Sequence, residues 1–176
     1  MRRAISAAAD FPSFLVTIGV TPKFPHTGLG YIRLGKEIEP DDGNAPLFSV
    51  DSFIEKPDRE LAEKLSASKR YLWNTGYKTG RADAILEMMK LSCPDYRRRS
   101  DRLLNAVKAQ DDPAVEQCFR ELPRISFEIL VSGRIEQMLA MATDLDWSDA
   151  GDWDVIHRLL SNDDADRFRA SQGLVW

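Results

Sequence analysis

Four short clusters carry residue types that could grip a polar, anionic small molecule. In Thr27-Gly-Leu-Gly-Tyr-Ile32, two glycines two apart ahead of a strand let a backbone approach a ligand closely; the same pattern also makes a plain tight turn. In Phe53-Ile-Glu-Lys-Pro57, Glu55 can accept from sugar hydroxyls and Lys56, a compact cation with three donors, can hold a phosphate; taken alone, the cluster reads more simply as a solvated pair ahead of a helix. In Leu72-Trp-Asn-Thr-Gly-Tyr77, Asn74 offers both a donor and an acceptor to a hydroxyl-rich ligand, or the segment is an Asn-Thr-Gly turn beside a core tryptophan. Asp146-Trp-Ser-Asp-Ala-Gly-Asp-Trp153 lies in a stretch with five aspartates between 144 and 154, and a single aspartate exposed at a glycine bend can supply one carboxylate to a Mg²⁺ held mainly by phosphates and water. Counted from Asp144, an EF-hand loop fails there, with Asp149 at its sixth position and Val155 at its twelfth. The alternative makes Asp152 a helix N-cap.

The elements that must position these clusters alternate along the chain. Residues 4–9 read as the tail of a helix, and Phe14–Val20 as a strand buried on both faces. Gly30–Leu34 and Leu47–Ile54 read as further strands, with a surface turn over residues 39–46. Asp58 opens a helix with Leu61, Ala62 and Leu65 inward. Tyr71–Trp73 is short and apolar. A helix over 82–91 places Ile85, Leu86 and Met89 on one face and ends at Cys93-Pro94. Residues 95–111 are highly charged. Asp112-Pro113 starts a helix burying Val115, Phe119 and Leu122. Residues 125–133 form another helix, 136–143 a strand, and 152–160 a last helix. Such alternation predicts an α/β fold with a mostly parallel or mixed sheet flanked by helices.

Composition narrows the function. The chain has 176 residues, 43% hydrophobic and 30% charged, with a net charge of −4. A mildly acidic chain argues against nucleic acid and anionic membranes as partners. No run of about 18 apolar residues exists to form a spanning helix. Arg2 and Arg3 precede a short Ala-rich stretch, but Asp10 and Pro12 interrupt it before a signal-peptide core is complete. Two cysteines, Cys93 and Cys118, exclude a disulfide framework, and with His26 and His157 they lack the close pairing of a zinc site. A reducing, cytoplasmic location fits. Neither Gly-x-Gly-x-x-Gly nor Gly-x-x-x-x-Gly-Lys-Ser/Thr occurs.

Taken in order, the clusters resemble the sugar-1-phosphate nucleotidyltransferases, and among them the mannose-1-phosphate guanylyltransferases. The segment Leu15–Val20 followed by Pro25–Ile32 is similar to the family's "LVTLGI…P-x-T-G-Y-G-Y-I". Phe53–Asp58 is similar to "F-x-E-K-P", Tyr71–Gly76 to "Y-x-W-N-S-G", and Trp147–Trp153 to "W-x-D-x-G-S-W". The resemblance implies that the Gly30 backbone, Glu55 and Asn74 contact the hexose. It implies that Lys56 holds the sugar phosphate and that Asp149 is one of two aspartate ligands of a catalytic Mg²⁺. The implied reaction transfers GMP from GTP to mannose-1-phosphate.

The family's "G-G-x-G-T-R-L-x-P-L" and second metal-binding aspartate have no counterpart here. Ser126–Gly133 departs from "S-I-D-Y-A-V-M-E", with Glu128 in place of Asp, and the usually apolar strand after Asn-Ser-Gly reads Tyr77-Lys-Thr-Gly80. The expectation is therefore a single domain over 1–176, its end frayed over 161–176. It would be a partial Rossmann-like fold lacking its N-terminal nucleotide-binding half, weak or inactive alone. It would bind Mg²⁺ only with nucleotide and sugar phosphate present. A homo-oligomer or a complementing N-terminal half would complete it. Two other readings are a non-catalytic sugar-phosphate binding module and an assembly element docking through an open sheet edge.

Overall fold

The strand expected at 14–20 is present as β1 (Leu15–Val20), with all six residues buried, and the rest of the sheet is built around it. The computed structural model describes residues 1–39, 45–132 and 134–149. β1 lies antiparallel to β4 (Tyr71–Thr79) on one side and parallel to β5 (Met138–Thr143) on the other. β4 pairs antiparallel with β2 (Tyr31–Glu39), β2 with β3 (Leu47–Ile54), and β3 with β5. The order β1-β4-β2-β3-β5 thus closes on itself.

The mixed sheet is as expected, although only β1 and β5 run parallel among the described strands. Among the described residues each of the five strands has a neighbour on both sides, although β2 meets β4 only over Tyr31–Arg33 and β3 meets β5 only over Leu47–Ser49.

Alternation along the strands feeds two cores. Leu15 of β1 and Met138 and Ala140 of β5 join Ile32, Leu72, Met88 and Val131. Val16 and Ile18, with Leu139 and Met141, face the other way and meet Ala4, Ala7 and Ala8 of α1 (Arg2–Asp10). The small alanines let α1 lie close against the sheet.

The helices follow their start and stop signals. Asp58 caps α2 (Arg59–Ser66), accepting from the Leu61 N–H at 2.8 Å. α3 (Ala82–Ser92) ends at Cys93, whose thiol sulfur accepts from the Tyr96 N–H to cap α4 (Pro94–Lys108). Asp111, one residue before the expected cap, caps α5 (Asp112–Arg120). α6 (Phe127–Ser132) and a 3₁₀ turn (Ile135–Gln137) lead into β5.

Three predicted helix faces are rotated. Leu61 is exposed while Ala62 and Leu65 are buried; Met88 rather than Leu86 reaches the core; and Cys118 is buried while Phe119 is 68% exposed. In each case the strip that turns inward, toward the sheet for α2 and α3 and toward α4 for α5, is fixed by where the helix enters, and several apolar residues compete for it.

The span 1–176 divides into two compact units, Met1–Asp144 and Leu145–Trp176. The predicted turn at residues 40–44, the helix at 152–160 and the tail at 161–176 lie outside the described residues.

Candidate functional site

The site begins from strand register. Tyr31 of β2 faces Ile54 of β3 on one side and Trp73 of β4 on the other. One residue before Tyr31, Gly30 therefore falls between Glu55 and Asn74. The Asn74 N–H donates to the Gly30 carbonyl at 2.8 Å. A Cβ on Gly30 would stand 2.7 Å from Glu55 Oε2 and 3.8 Å from Asn74 Nδ2. Here glycine is required by close approach: the carboxylate and the amide converge over its bare Cα. The loop ahead of Gly30 is held by the Tyr31 hydroxyl, which accepts from the His26 N–H at 3.0 Å and donates to the His26 carbonyl.

Asn74 does not sit in a turn, as one reading of Asn-Thr-Gly had it. β4 runs on to Thr79 through a bulge. Gly19 faces Asn74 and Thr17 faces Lys78, so four steps along β4 match two along β1. Gly76 sits in the bulge at φ +76°. The Thr75 hydroxyl donates to the Ile18 carbonyl at 2.7 Å, and Asn74 Oδ1 accepts from the Gly76 N–H at 3.2 Å, with Thr17 Oγ1 at 3.4 Å. These contacts hold the amide oxygen and leave Nδ2 to donate beside Gly30.

A cavity of about 720 Å³ opens beside this row. Glu55, Asn74, Ser52 and Phe53 line it from the strands, Lys78 from beyond the bulge, and Ser126, Glu128, Val131 and Ile135 from the α6 side. Lys78 is its one lining cation among the described residues. The Lys78 side chain is 6% exposed, and Nζ lies 3.1 Å from Glu128 Oε1 and 6.0 Å from the centre of the Phe127 ring. Burial works to raise the Glu128 carboxyl. The hydrogen bond and charge of Lys78, with a backbone bond, outweigh it and hold the group below the usual carboxylate range.

The sequence-derived residues therefore separate. Gly30, Glu55 and Asn74 are brought together. Lys56 is exposed and does not line the cavity. Its backbone is left-handed at φ +42° although Pro57 follows, an arrangement that costs about 1–2 kcal/mol in a residue with a side chain. That sharp bend parts Glu55 from Lys56 at the end of β3.

Asp149 belongs to the unit Leu145–Trp176 and is exposed there. Among the described residues no group of three or more His, Cys, Asp or Glu is arranged to hold a metal ion. One carboxylate does not by itself make the six-oxygen shell that Mg²⁺ demands. Lys78 and Glu128 escaped the sequence reading as site residues. They appear there only as two departures from a pattern, 50 residues apart.

Residues 1–165 match the family model described as nucleotidyl transferase, and the chain belongs to that family. It is 36% identical over 141 residues to the mannose-1-phosphate guanylyltransferase ManC of Salmonella typhimurium, an alignment covering 79% of this chain and 29% of the relative. It is 34% identical over 152 residues to the mannose-1-phosphate guanylyltransferase of Klebsiella pneumoniae, covering 85% of this chain and 32% of the relative. The chain thus spans about a third or less of the length of these curated relatives.

A crystal structure from Thermus thermophilus, described as a mannose-1-phosphate geranyltransferase, superposes with a TM-score of 0.73 at 28% identity, over 92% of this chain and 44% of that one. A mannose-6-phosphate isomerase structure from Helicobacter pylori, at 24% identity and a TM-score of 0.60, shares the fold over 84% of this chain and 57% of that one. No helix among the described residues is long and apolar enough to cross a membrane.

Proposed function

We propose that this chain supplies the acceptor-sugar side of a cytoplasmic nucleotidyl transfer in which mannose-1-phosphate takes GMP from GTP. A phosphate oxygen of the sugar phosphate bonds to the α-phosphorus, the bond from that phosphorus to the β-phosphate bridging oxygen breaks, and pyrophosphate leaves. The observation that carries this reading is the row Glu55–Gly30–Asn74, with Glu55 and Asn74 lining a cavity of about 720 Å³ that has ample room for a hexose phosphate. The names of the relatives support the same reaction.

In this reading Glu55 accepts from two sugar hydroxyls, Asn74 Nδ2 donates to a third oxygen, and the bare Gly30 backbone admits the ring. Lys56, beside the row on the bent strand end, is proposed to meet the phosphate as it enters. Asp149 is proposed to give one carboxylate to Mg²⁺, whose remaining oxygens come from substrate phosphates, water and a second aspartate. The metal would neutralise charge on the phosphates. Transfer of this kind relies on positioning and charge neutralisation rather than on a covalent intermediate.

Calorimetry on the chain as it stands tests the acceptor side. Mannose-1-phosphate should bind, and Glu55→Gln should weaken it about tenfold, the effect of losing a charge-assisted hydrogen bond. Absence of binding by any hexose phosphate, or indifference to Glu55→Gln, would overturn the assignment.

A further inference from the structure

The least expected group in the cavity is the Lys78 ammonium. Its side chain is almost wholly withdrawn from solvent, a state that is costly for a cation unless its donors are met. It has three N–H donors. Among the described residues Glu128 takes one, and the Phe127 ring lies nearby. Its other donors meet no further acceptor among the described residues, and the side chain lines the cavity. Glu128 is itself half exposed, at 51%, so the partner is free to move away while the lysine is not.

The bulge sets where this cation stands. Thr17 and Gly19 are two residues apart on β1 and point to one face, so their partners Lys78 and Asn74 also share a face. Without the bulge four residues of strand would separate them by about 13 Å; with it the separation along the ladder is about 7 Å. One hexose ring bearing a phosphate spans such a gap. Hydroxyls on the Glu55–Asn74 side would leave the phosphate facing Lys78.

We propose that Lys78 determines the specificity of the pocket for a phosphorylated sugar, receiving the phosphate on Nζ in exchange for Glu128. The proposal rests on the acceptor reading above and adds a second cation to it. Glu128 then competes for the same donor, holding the lysine in place in the empty pocket and yielding when a dianion arrives. The carboxylates that share the cavity with Nζ are Glu128 from α6, paired to it, and Glu55 from the end of β3. An incoming phosphate meets two carboxylates and one lining cation, which is why the cation decides the outcome.

Calorimetry and side-chain NMR of the lysine ammonium groups test this with three probes: inorganic phosphate, mannose and mannose-1-phosphate. In the wild-type chain, phosphate and mannose-1-phosphate should both shift the Lys78 resonance. Lys78→Met keeps the packing stem and should lower the preference for mannose-1-phosphate over mannose by about tenfold, leaving mannose itself unchanged. Glu128→Gln should strengthen phosphate binding by about threefold, because the competitor has lost its charge. A merely structural ion pair predicts neither effect.

Full phosphate preference in Lys78→Met would overturn the proposal while leaving the acceptor reading intact. Lys78-dependent phosphate binding with no affinity for mannose or its phosphate would overturn the acceptor reading and leave Lys78 in place. Should Lys78→Met fail to fold, unchanged phosphate affinity in Glu128→Gln would be decisive against it, as would a wild-type chain that binds no phosphate.

Discussion

The two ends of the cavity are built by opposite means. At the row end, Glu55, Gly30 and Asn74 are placed by the antiparallel register that pairs Tyr31 with Ile54 and Trp73, Gly30 and Glu55 standing one residue beyond β2 and β3. At the wall end, Lys78 is placed by a break in register and steadied by one ion pair to a helix of six residues. Register shares its energy over many backbone bonds, so the row should be insensitive to most single changes outside it. The wall depends on a few contacts and should be adjustable. The difference teaches that a pocket can hold one half of its ligand rigidly and tune the other half without disturbing the sheet.

Asn74→Ala breaks the comparison most strongly, because Asn74 belongs to both ends. Its Oδ1 accepts from the Gly76 N–H in the bulge and lies beside the buried Thr17 hydroxyl. Its loss should destabilise the chain by about 1–3 kcal/mol, measured by urea denaturation, and remove acceptor binding in calorimetry.

Next comes a pair of glycines. Gly30→Ala sets a Cβ against the movable end of Glu55. Acceptor affinity should fall about tenfold while stability changes by less than about 1 kcal/mol. Gly76→Ala meets no atom within 4 Å but forces a left-handed residue. Stability should fall by about 1–2 kcal/mol, and mannose affinity should hold while the phosphate preference drops.

The smallest effect lies outside both ends. The hydrogen bond from Arg81, then the Ala84 N–H, draw the Asp83 carboxyl down to about 2 against a small opposing effect of burial. Its stabilising contribution is present above the ordinary carboxylate range and is lost only as pH falls through about 2. Arg81→Ala should move the Asp83 titration upward in NMR and leave the melting temperature nearly unchanged, since both side chains are exposed and solvent screens the pair.

How far the sequence could be read follows the same division. β3 was legible to the residue, because its apolar run stops at Lys56-Pro57-Asp58 and Asp58 caps the next helix. Gly30, Glu55 and Asn74 were legible as types, and antiparallel register then aligned them. The bulge was not legible. Asn-Thr-Gly carries a turn signature, and what keeps it in the sheet is the Thr75 bond to Ile18, 57 residues away. The same holds for the lysines. Lys56 stood in a motif and proved exposed; the burial of Lys78 depends on Glu128, which no local pattern announces. Phe119 and Cys118 show the limit for helices, since both are apolar and only the packing of α5 chooses between them.

The parallel pairing of β1 with β5 has a consequence for how the chain is made. Leu15 meets Met138, so one side of the most apolar strand waits for nearly the whole unit to be synthesised. At ribosomal rates of about 5–20 residues per second that delay is on the order of ten seconds. So long-range a contact is also slow to form once its partner exists. During the wait the strand is a hazard for aggregation. α1, translated just before it, is local in sequence and lays Ala4, Ala7 and Ala8 against Val16 and Ile18. Being local in sequence, α1 can cover one face of β1 before β5 has been made.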